Sequence, residues 1–469
     1  MLYLLHLIGR HQTPREAREW KSSAALNREK APAYSWPMNK AVQWKLFIMM
    51  VLEFFIWGAW LPLIFGYLPS LHFTTLQQTL ILDAFPVASI IGMFFSNQFA
   101  DRNFAAEKFL GFSQLVGGLA MLGLGFTRDF TTFFVLMSVH CLLYVPTVSI
   151  VNSITFANLK DSKQFGLVRM GGTIGWILAA WPFTFIFVDW NKVNAAHPIG
   201  FINWLYTVLG AGLTGADLQS ATRWTYIVAG VASLLLAVFS LALPHTPPKK
   251  SVSSENKFAW EEAMRLLAKP FVLVLWIVTF ADSFVHNCFF NWAGTFLSSP
   301  QVGIAGNWVM PIMSIGQVAE ILTMAVLGLA LKHLGWRTTM IFGICGHLFR
   351  FLVFAFFPQM TGLIVAVNIL HGVCYAFFFA VVYIFVDEHF PSDARASAQG
   401  LFNVMILGFG VIAANSVGPW LLQKVFTHGE VTDFRGLFMV PSAVALLAII
   451  LMAALFHPPD RGSEPARAS

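Results

Sequence analysis

Charge is what this chain has least of. Only 11% of its 469 residues are Asp, Glu, Lys or Arg, against about 25% in an ordinary soluble domain. That shortage excludes a solvated globular fold. The net charge of +6 does not read as a nucleic-acid footprint, because the excess lies in short connections between apolar runs. Cysteine is scarce as well, and Cys141, Cys288, Cys345 and Cys374 fall singly inside apolar runs. No CxxC pair or Cys/His ligand spacing exists, so neither a disulfide framework nor a zinc site is indicated. With no nucleophile motif either, no cofactor is expected and an embedded enzyme is disfavoured. The first apolar run also makes a poor signal peptide. Leu2–Ile8 is short and runs directly into Gly9-Arg10, its basic end on the wrong side. Residues 1–37 are expected to be a disordered extension, or the product of a start codon upstream of Met38.

Hydrophobic length is what the chain has in abundance, with 57% apolar residues and 47 Phe. Apolar runs of about 20 residues can cross a bilayer. Twelve candidates lie near 45–68, 76–99, 107–126, 131–157, 166–188, 222–243, 270–296, 305–331, 338–357, 362–386, 396–423 and 435–456. Sixteen basic residues in the even-numbered connections and at the ends, against five on the other side, place both termini in the cytoplasm. The Pro244–Lys269 connection opens with Pro-His-Thr-Pro-Pro-Lys-Lys and reads as a linker dividing the helices six and six. The expected domains are an N-terminal extension (1–43), a first bundle (44–243), a cytoplasmic linker (244–269), a second bundle (270–456) and a cytoplasmic tail (457–469). Charged turns at Asp101-Arg102 and Lys332…Arg337 occupy matching places in the two halves, as in a duplicated transporter.

Polar residues inside these spans are costly unless partnered, and so mark paths or sites. Glu320 is central in its run, with Gln317 three residues before it. Arg169 and Thr173 share one helical face, as do Asp282 and His286, and Asn287 and Asn291. Helix four carries Tyr144 and Thr147, helix nine Arg350, and helix ten His371 and Tyr375. Several have structural alternatives. Arg169 is near enough to its helix start to snorkel, Glu53 could cap its helix, Arg350 could pair a neighbouring carboxylate, and Asp282 and His286 could close on each other. Amides, hydroxyls, one Arg and one Glu suit a neutral, heteroatom-rich solute. Trp57, Trp60, Phe289, Tyr375 and Phe378 could stack on a flat ring. A sugar or nucleoside fits better than a phosphate or dicarboxylate.

Several stretches together resemble the nucleoside:proton symporters of the major facilitator superfamily, typified by bacterial nucleoside permeases. They are Trp57-Gly-Ala-Trp60, Tyr144-Val-Pro-Thr147, Arg169-Met-Gly-Gly-Thr-Ile-Gly175, Leu243-Pro-His-Thr-Pro247, Met313-Ser-Ile-Gly-Gln317-Val-Ala-Glu320, Arg350-Phe and Arg395-Ala-Ser-Ala-Gln-Gly400. The resemblance implies an all-α major facilitator fold and a multi-pass protein of the bacterial inner membrane, expected to be a monomer. It implies proton-coupled nucleoside import by alternating access, with substrate contacts from Arg169, Thr173, Gln317, Glu320, Asn287, His286 and Tyr375. Tyr144 and Thr147 complete the candidate set. The pattern departs from the family at Ala376, where those permeases carry an Asp after the aromatic, and at His371, where they have a Tyr. If that Asp takes part in coupling, Glu320 is its heir, with Asp282 as a second proton carrier. A different substrate preference is equally compatible, as is a facilitator or sugar symporter on the same fold. A transporter-like sensor is a more distant alternative.

Overall fold

The computed structural model describes residues 40–92, 104–159, 165–248, 264–265, 267–390 and 395–458. The extension before Lys40, the Asp101-Arg102 turn, most of the linker and the end of the tail lie outside them. The helices are α1 (Lys40–Ser70), α2 (Thr75–Leu82), α3 (Ala84–Ile91), α4 (Ala106–Leu124), α5 (Phe130–Asn158), α6 (Phe165–Ala180), α7 (Phe183–Ile186), α8 (Trp190–Ala195), α9 (Phe201–Gly210), α10 (Gly215–Ala221) and α11 (Arg223–Ser240). The second half holds α12 (Pro270–Leu297), α13 (Gly306–Met313), α14 (Ile315–Phe356), α15 (Thr361–Val367), α16 (Ile369–Cys374), α17 (Ala380–His389), α18 (Arg395–Asn403), α19 (Gly410–Trp420) and α20 (Phe434–Leu455). A two-residue hairpin, β1 (Thr427–His428) with β2 (Val431–Thr432), precedes α20.

Among the described residues, eight stretches are long and apolar enough to cross a bilayer unaided. One of them, Gly306–Phe356, breaks into two helices at Gly335, whose φ of 71° a Cβ would disfavour. The α2–α3 pair, α4 and α6 complete twelve crossings, arranged as two bundles of six. Five spans expected to be continuous are interrupted, among them the eighth at Ser314 and the eleventh at a π-turn over Val404–Phe409. The second breaks at Asp83, the fifth at Trp181-Pro182, and the tenth at Asn368 and again at a π-turn over Tyr375–Phe379. A few helix starts carry side-chain caps. Thr74 and Gln77 form a reciprocal capping box on α2. Asp129 accepts from the Thr132 backbone N–H at 2.9 Å to start α5, and this bond holds its exposed carboxyl below the usual carboxylate range.

Small residues set the tightest helix contacts, as expected where lipid gives apolar side chains no reason to associate. Gly171, Gly172 and Gly175 let α6 lie directly on the α1 backbone, where a Cβ on Gly175 would strike the Val51 carbonyl. In the second bundle, Gly372 of α16 does the same against Gly316 and the backbone of Glu320 in α14. Gly175→Leu is expected to cost about 1–3 kcal/mol or more through overpacking. Thermal unfolding in detergent should show a lowered midpoint, whereas the same change at Gly362, which has open space around it, should leave the midpoint unchanged.

Candidate functional site

The described hydrogen bonds between the bundles gather at one end of the molecule, where α1, α12 and α19 finish. Gln78 and Gln423 exchange amide bonds at 2.6 and 3.2 Å. Asn415 donates to the Leu82 carbonyl at 3.0 Å and accepts from Thr79 at its own carbonyl at 3.3 Å. The connection after α6 joins in, with Asn307 and Trp308 at the start of α13 donating to the Leu209 carbonyl at 3.2 and 2.9 Å. Gly66 and Gly294 allow α1 and α12 to touch there. A cavity of about 230 Å³ lies behind this end, lined by Pro62, Gly66, Phe290, Asn291, Thr295 and Gln423 among others.

Deeper in, the seam between the bundles is lined by half-buried polar and aromatic side chains. From the first bundle come Trp57 of α1 and Arg169, Thr173 and Trp176 of α6; from the second come His286 and Asn287 of α12, Glu320 of α14, and Tyr375. Helix α6 packs against α14, which sets Arg169 within electrostatic reach of both Glu320 and Tyr375. The Arg169 guanidinium lies over the Phe54 ring at 4.2 Å, an attraction that holds it across the helix rather than along it. Gln317 is buried, and its amide nitrogen reaches the Met313 and Ser314 carbonyls at 3.2 Å. Glu320 has no hydrogen-bond partner among the described residues. Asn287 returns its amide to the Ser283 carbonyl at 2.8 Å, which leaves its oxygen toward the seam. Trp57 stacks on Phe85 at 4.8 Å and meets Trp176 edge-on at 5.3 Å; Trp176 in turn reaches Phe290 across the seam at 6.3 Å.

Six of the nine expected substrate contacts therefore lie along the seam, Gln317 is buried on the helix that carries Glu320, and two lie elsewhere. Tyr144 and Thr147 are buried inside the first bundle, where both serve Glu53. Thr147 donates to the Glu53 carboxylate at 2.6 Å and Tyr144 to its backbone carbonyl at 2.6 Å. Gln114 adds a bond at 2.8 Å and is itself fixed by Ser233 at 2.6 Å. Glu53 is thus the centre of a closed network rather than a helix cap. Two pairings also differ. His286 makes no bond to Asp282; it stacks on His371 with centroids 4.7 Å apart, and Asp282 Oδ2 instead lies 3.8 Å from His347 Nε2. Arg350 bonds imidazoles, not a carboxylate. Of the proposed stacking rings, Trp60, Phe289 and Phe378 are core. Trp176 and Phe290 were missed, although helical spacing could have found both. Trp176 follows Arg169 and Thr173 on one face, and Phe290 is four residues after His286.

Two six-helix bundles enclosing a polar and aromatic seam, sealed at one end, define a secondary transporter. The chain belongs to the nucleoside H+ symporter family, whose model matches residues 38–211 and 188–461. It is 28% identical to YegT of Escherichia coli (strain K12) over 420 residues, 87% of this chain and 92% of that one. It is 26% identical to the xanthosine permease of the same organism over 451 residues, 90% of this chain and 98% of that one. The crystal structure of the nucleoside transporter NupG has the same fold, with a TM-score of 0.73 at 21% identity over 90% of this chain and all of that one.

Because Thr147 serves Glu53 and not the seam, Thr147→Val should destabilise the protein by about 1–3 kcal/mol by stripping a buried carboxyl of a donor. Nucleoside affinity of the folded fraction, measured by calorimetry or scintillation proximity, should stay within about twofold, since no seam contact is lost.

Proposed function

We propose that this protein carries nucleosides into the bacterial cell together with protons, by alternating exposure of the seam to the two sides of the inner membrane. The observation that carries the reading is the meeting of Arg169 and Thr173 from one bundle with Gln317 and Glu320 from the other, inside a chain matched to the symporter family along nearly its whole length. The bundles, 44–243 and 270–456, rock about the seam, and 244–269 links them. Both termini face the cytoplasm, so the hydrogen-bonded end faces outward and this is an inward-facing arrangement. The transporter works as a monomer. Gln317, Asn287 and Thr173 offer the donors and acceptors that a base edge or ribose needs. His286, Tyr375, Trp57 and Trp176 supply ring faces.

Glu320 carries a proton in the occluded state, where a neutral carboxyl is tolerated in a dry site. It releases the proton inward as water and Arg169 stabilise the carboxylate. Asp282 is a second proton carrier. Ala376 is fully buried beside Tyr375 and offers no acid, which favours, as a second reading, a facilitator of the same solutes. The two readings part on one variant. Glu320→Gln should abolish concentrative uridine uptake, by about tenfold or more, while sparing counterflow. Uptake by Glu320→Gln that stays concentrative, together with wild-type uptake indifferent to an imposed pH gradient, would sink the coupling role.

The outward seal gives a separate test. A disulfide between Gln78→Cys and Gln423→Cys should trap this arrangement and stop uptake, and reduction should restore it. Full transport in the oxidised double variant would show that this end need not open.

A further inference from the structure

The second bundle holds a buried cluster that the transport reading uses only in part. Arg350 is fully buried and donates from Nη1 to His371 Nδ1 at 2.7 Å and from Nη2 to His347 Nδ1 at 3.0 Å. Guanidinium nitrogens donate and never accept. Both imidazoles must therefore present a bare Nδ1 to Arg350 and carry their proton on Nε2. His347 Nε2 lies 3.8 Å from Asp282 Oδ2, short of a hydrogen bond. Asp282 is 1% exposed, and neither of its oxygens has a hydrogen-bond partner. A permanent cation and an acid thus share one cluster, yet the cation is given to two neutral rings and the acid to none. Leaving an ionised carboxylate so unpaired in a dry interior is costly, so this is the arrangement that a protonated Asp282 permits.

We infer that Arg350 exchanges partners as Asp282 loses its proton, and that His371 passes this exchange to the nucleoside site. With Asp282 protonated, Arg350 holds His371 and His347. When the Asp282 O–H bond breaks and its proton passes to water, Arg350 and the His347 Nε2–H close on the carboxylate and the bond to His371 is given up. His371 is placed to transmit this. Its ring lies so close to α14 that a Cβ on Gly316 would meet its Cβ at 2.8 Å and its Cδ2 at 2.9 Å. Gly316 immediately precedes Gln317 and stands one turn before Glu320. The same ring stacks on His286 at 4.7 Å and on Phe289 at 4.7 Å, and His286 is the half-buried member facing the seam. The titratable and charged groups around His371 are His286 from α12, His347, Arg350 and, beyond Gly316, Glu320 from α14, Cys374 on its own helix, and the adjoining Tyr375. His371 is a positioning residue in this scheme, not a substrate contact.

The inference rests on the assignment of Asp282 as a proton carrier, and the test separates the two. Purified protein in liposomes is assayed for uridine-driven proton influx with an internal pH dye, for the pH profile of uptake, and for uridine counterflow. His371→Phe, which leaves Arg350 without that acceptor, should lose about tenfold of proton influx, the factor that one unit of pKa shift corresponds to, and flatten the pH profile while counterflow persists. His371→Gln, which keeps a carbonyl acceptor, should recover both. Wild-type influx and pH profile in His371→Phe would overturn the exchange. Influx that survives in Asp282→Asn would overturn the assignment of Asp282 itself, whereas influx lost in Asp282→Asn but intact in His371→Phe would overturn the partner exchange alone. If His371→Phe does not fold, Arg350→Lys decides. One ammonium cannot match the two-armed guanidinium, so a flattened profile supports the exchange and an unchanged one overturns it.

Discussion

The contact between Gly316 and Gly372 is the constraint on which the second bundle depends. No side chain could stand at Gly372 without meeting the Glu320 backbone N–H and the Gly316 carbonyl. That bareness lets α16 lie against α14 at the depth of the seam. It fixes where Glu320 points, places His371 on Gly316, and brings Tyr375 alongside. In hydrocarbon, where burying apolar surface does not by itself draw helices together, such backbone approach provides most of the association. The π-turn at Tyr375–Phe379 follows directly, and it rotates the aromatic face toward the seam without ending the helix.

The two bundles hold Glu53 and Asp282, both fully buried carboxyls, in opposite ways. In the first, Glu53, Gln114, Thr147, Tyr144 and Ser233 satisfy one another completely. A saturated network of this kind has one low-energy arrangement and stiffens what it joins. In the second, Asp282 and Glu320 lack hydrogen-bond partners, and Arg350 leaves its Nε unpaired. Groups left unsatisfied at this depth are held there at a cost, and relief of that cost can drive a change of state. The Glu53 carboxyl is therefore fixed in place, and Asp282 and Glu320 are the carboxyls whose partners can change.

Much of this was legible in the chain. Apolar length and basic loops gave twelve spans because bilayer thickness and loop charge act on composition alone. The seam residues of α6 and α14 were legible because helical spacing puts Arg169 with Thr173, and Gln317 with Glu320, on single faces. Partners drawn from different helices were not. Nothing in the spacing of Glu53, Gln114 and Thr147 shows that three spans converge on one carboxylate, and so Tyr144 and Thr147 were assigned to a ligand. A carboxylate was one alternative for Arg350, offered because charge complementarity is the simplest rule; two imidazoles with a bare Nδ1 satisfy the same donors without a counter-charge. Breaks at Asp83 and Asn368 also escaped notice, since neither residue interrupts an apolar run.

The sealed end explains why the seam can open at all. Its bonds are between amides, hydroxyls and backbone carbonyls, with one from Ser416 to the Asp83 carboxyl at 3.3 Å; those between neutral groups are each of net worth about 0.5–1.5 kcal/mol and replaceable by water. Ion pairs of the same number would resist separation more strongly and would leave bare charges behind. A seal with no ion pair among the described residues can therefore be balanced by a few new contacts elsewhere. Ligand can shift such an equilibrium only by the difference in its affinity for the two states. That difference must come from groups contributed by both bundles. Helices α6 and α14, which carry Arg169 with Thr173 and Gln317 with Glu320, are one such pair, since they pack against each other across the two bundles.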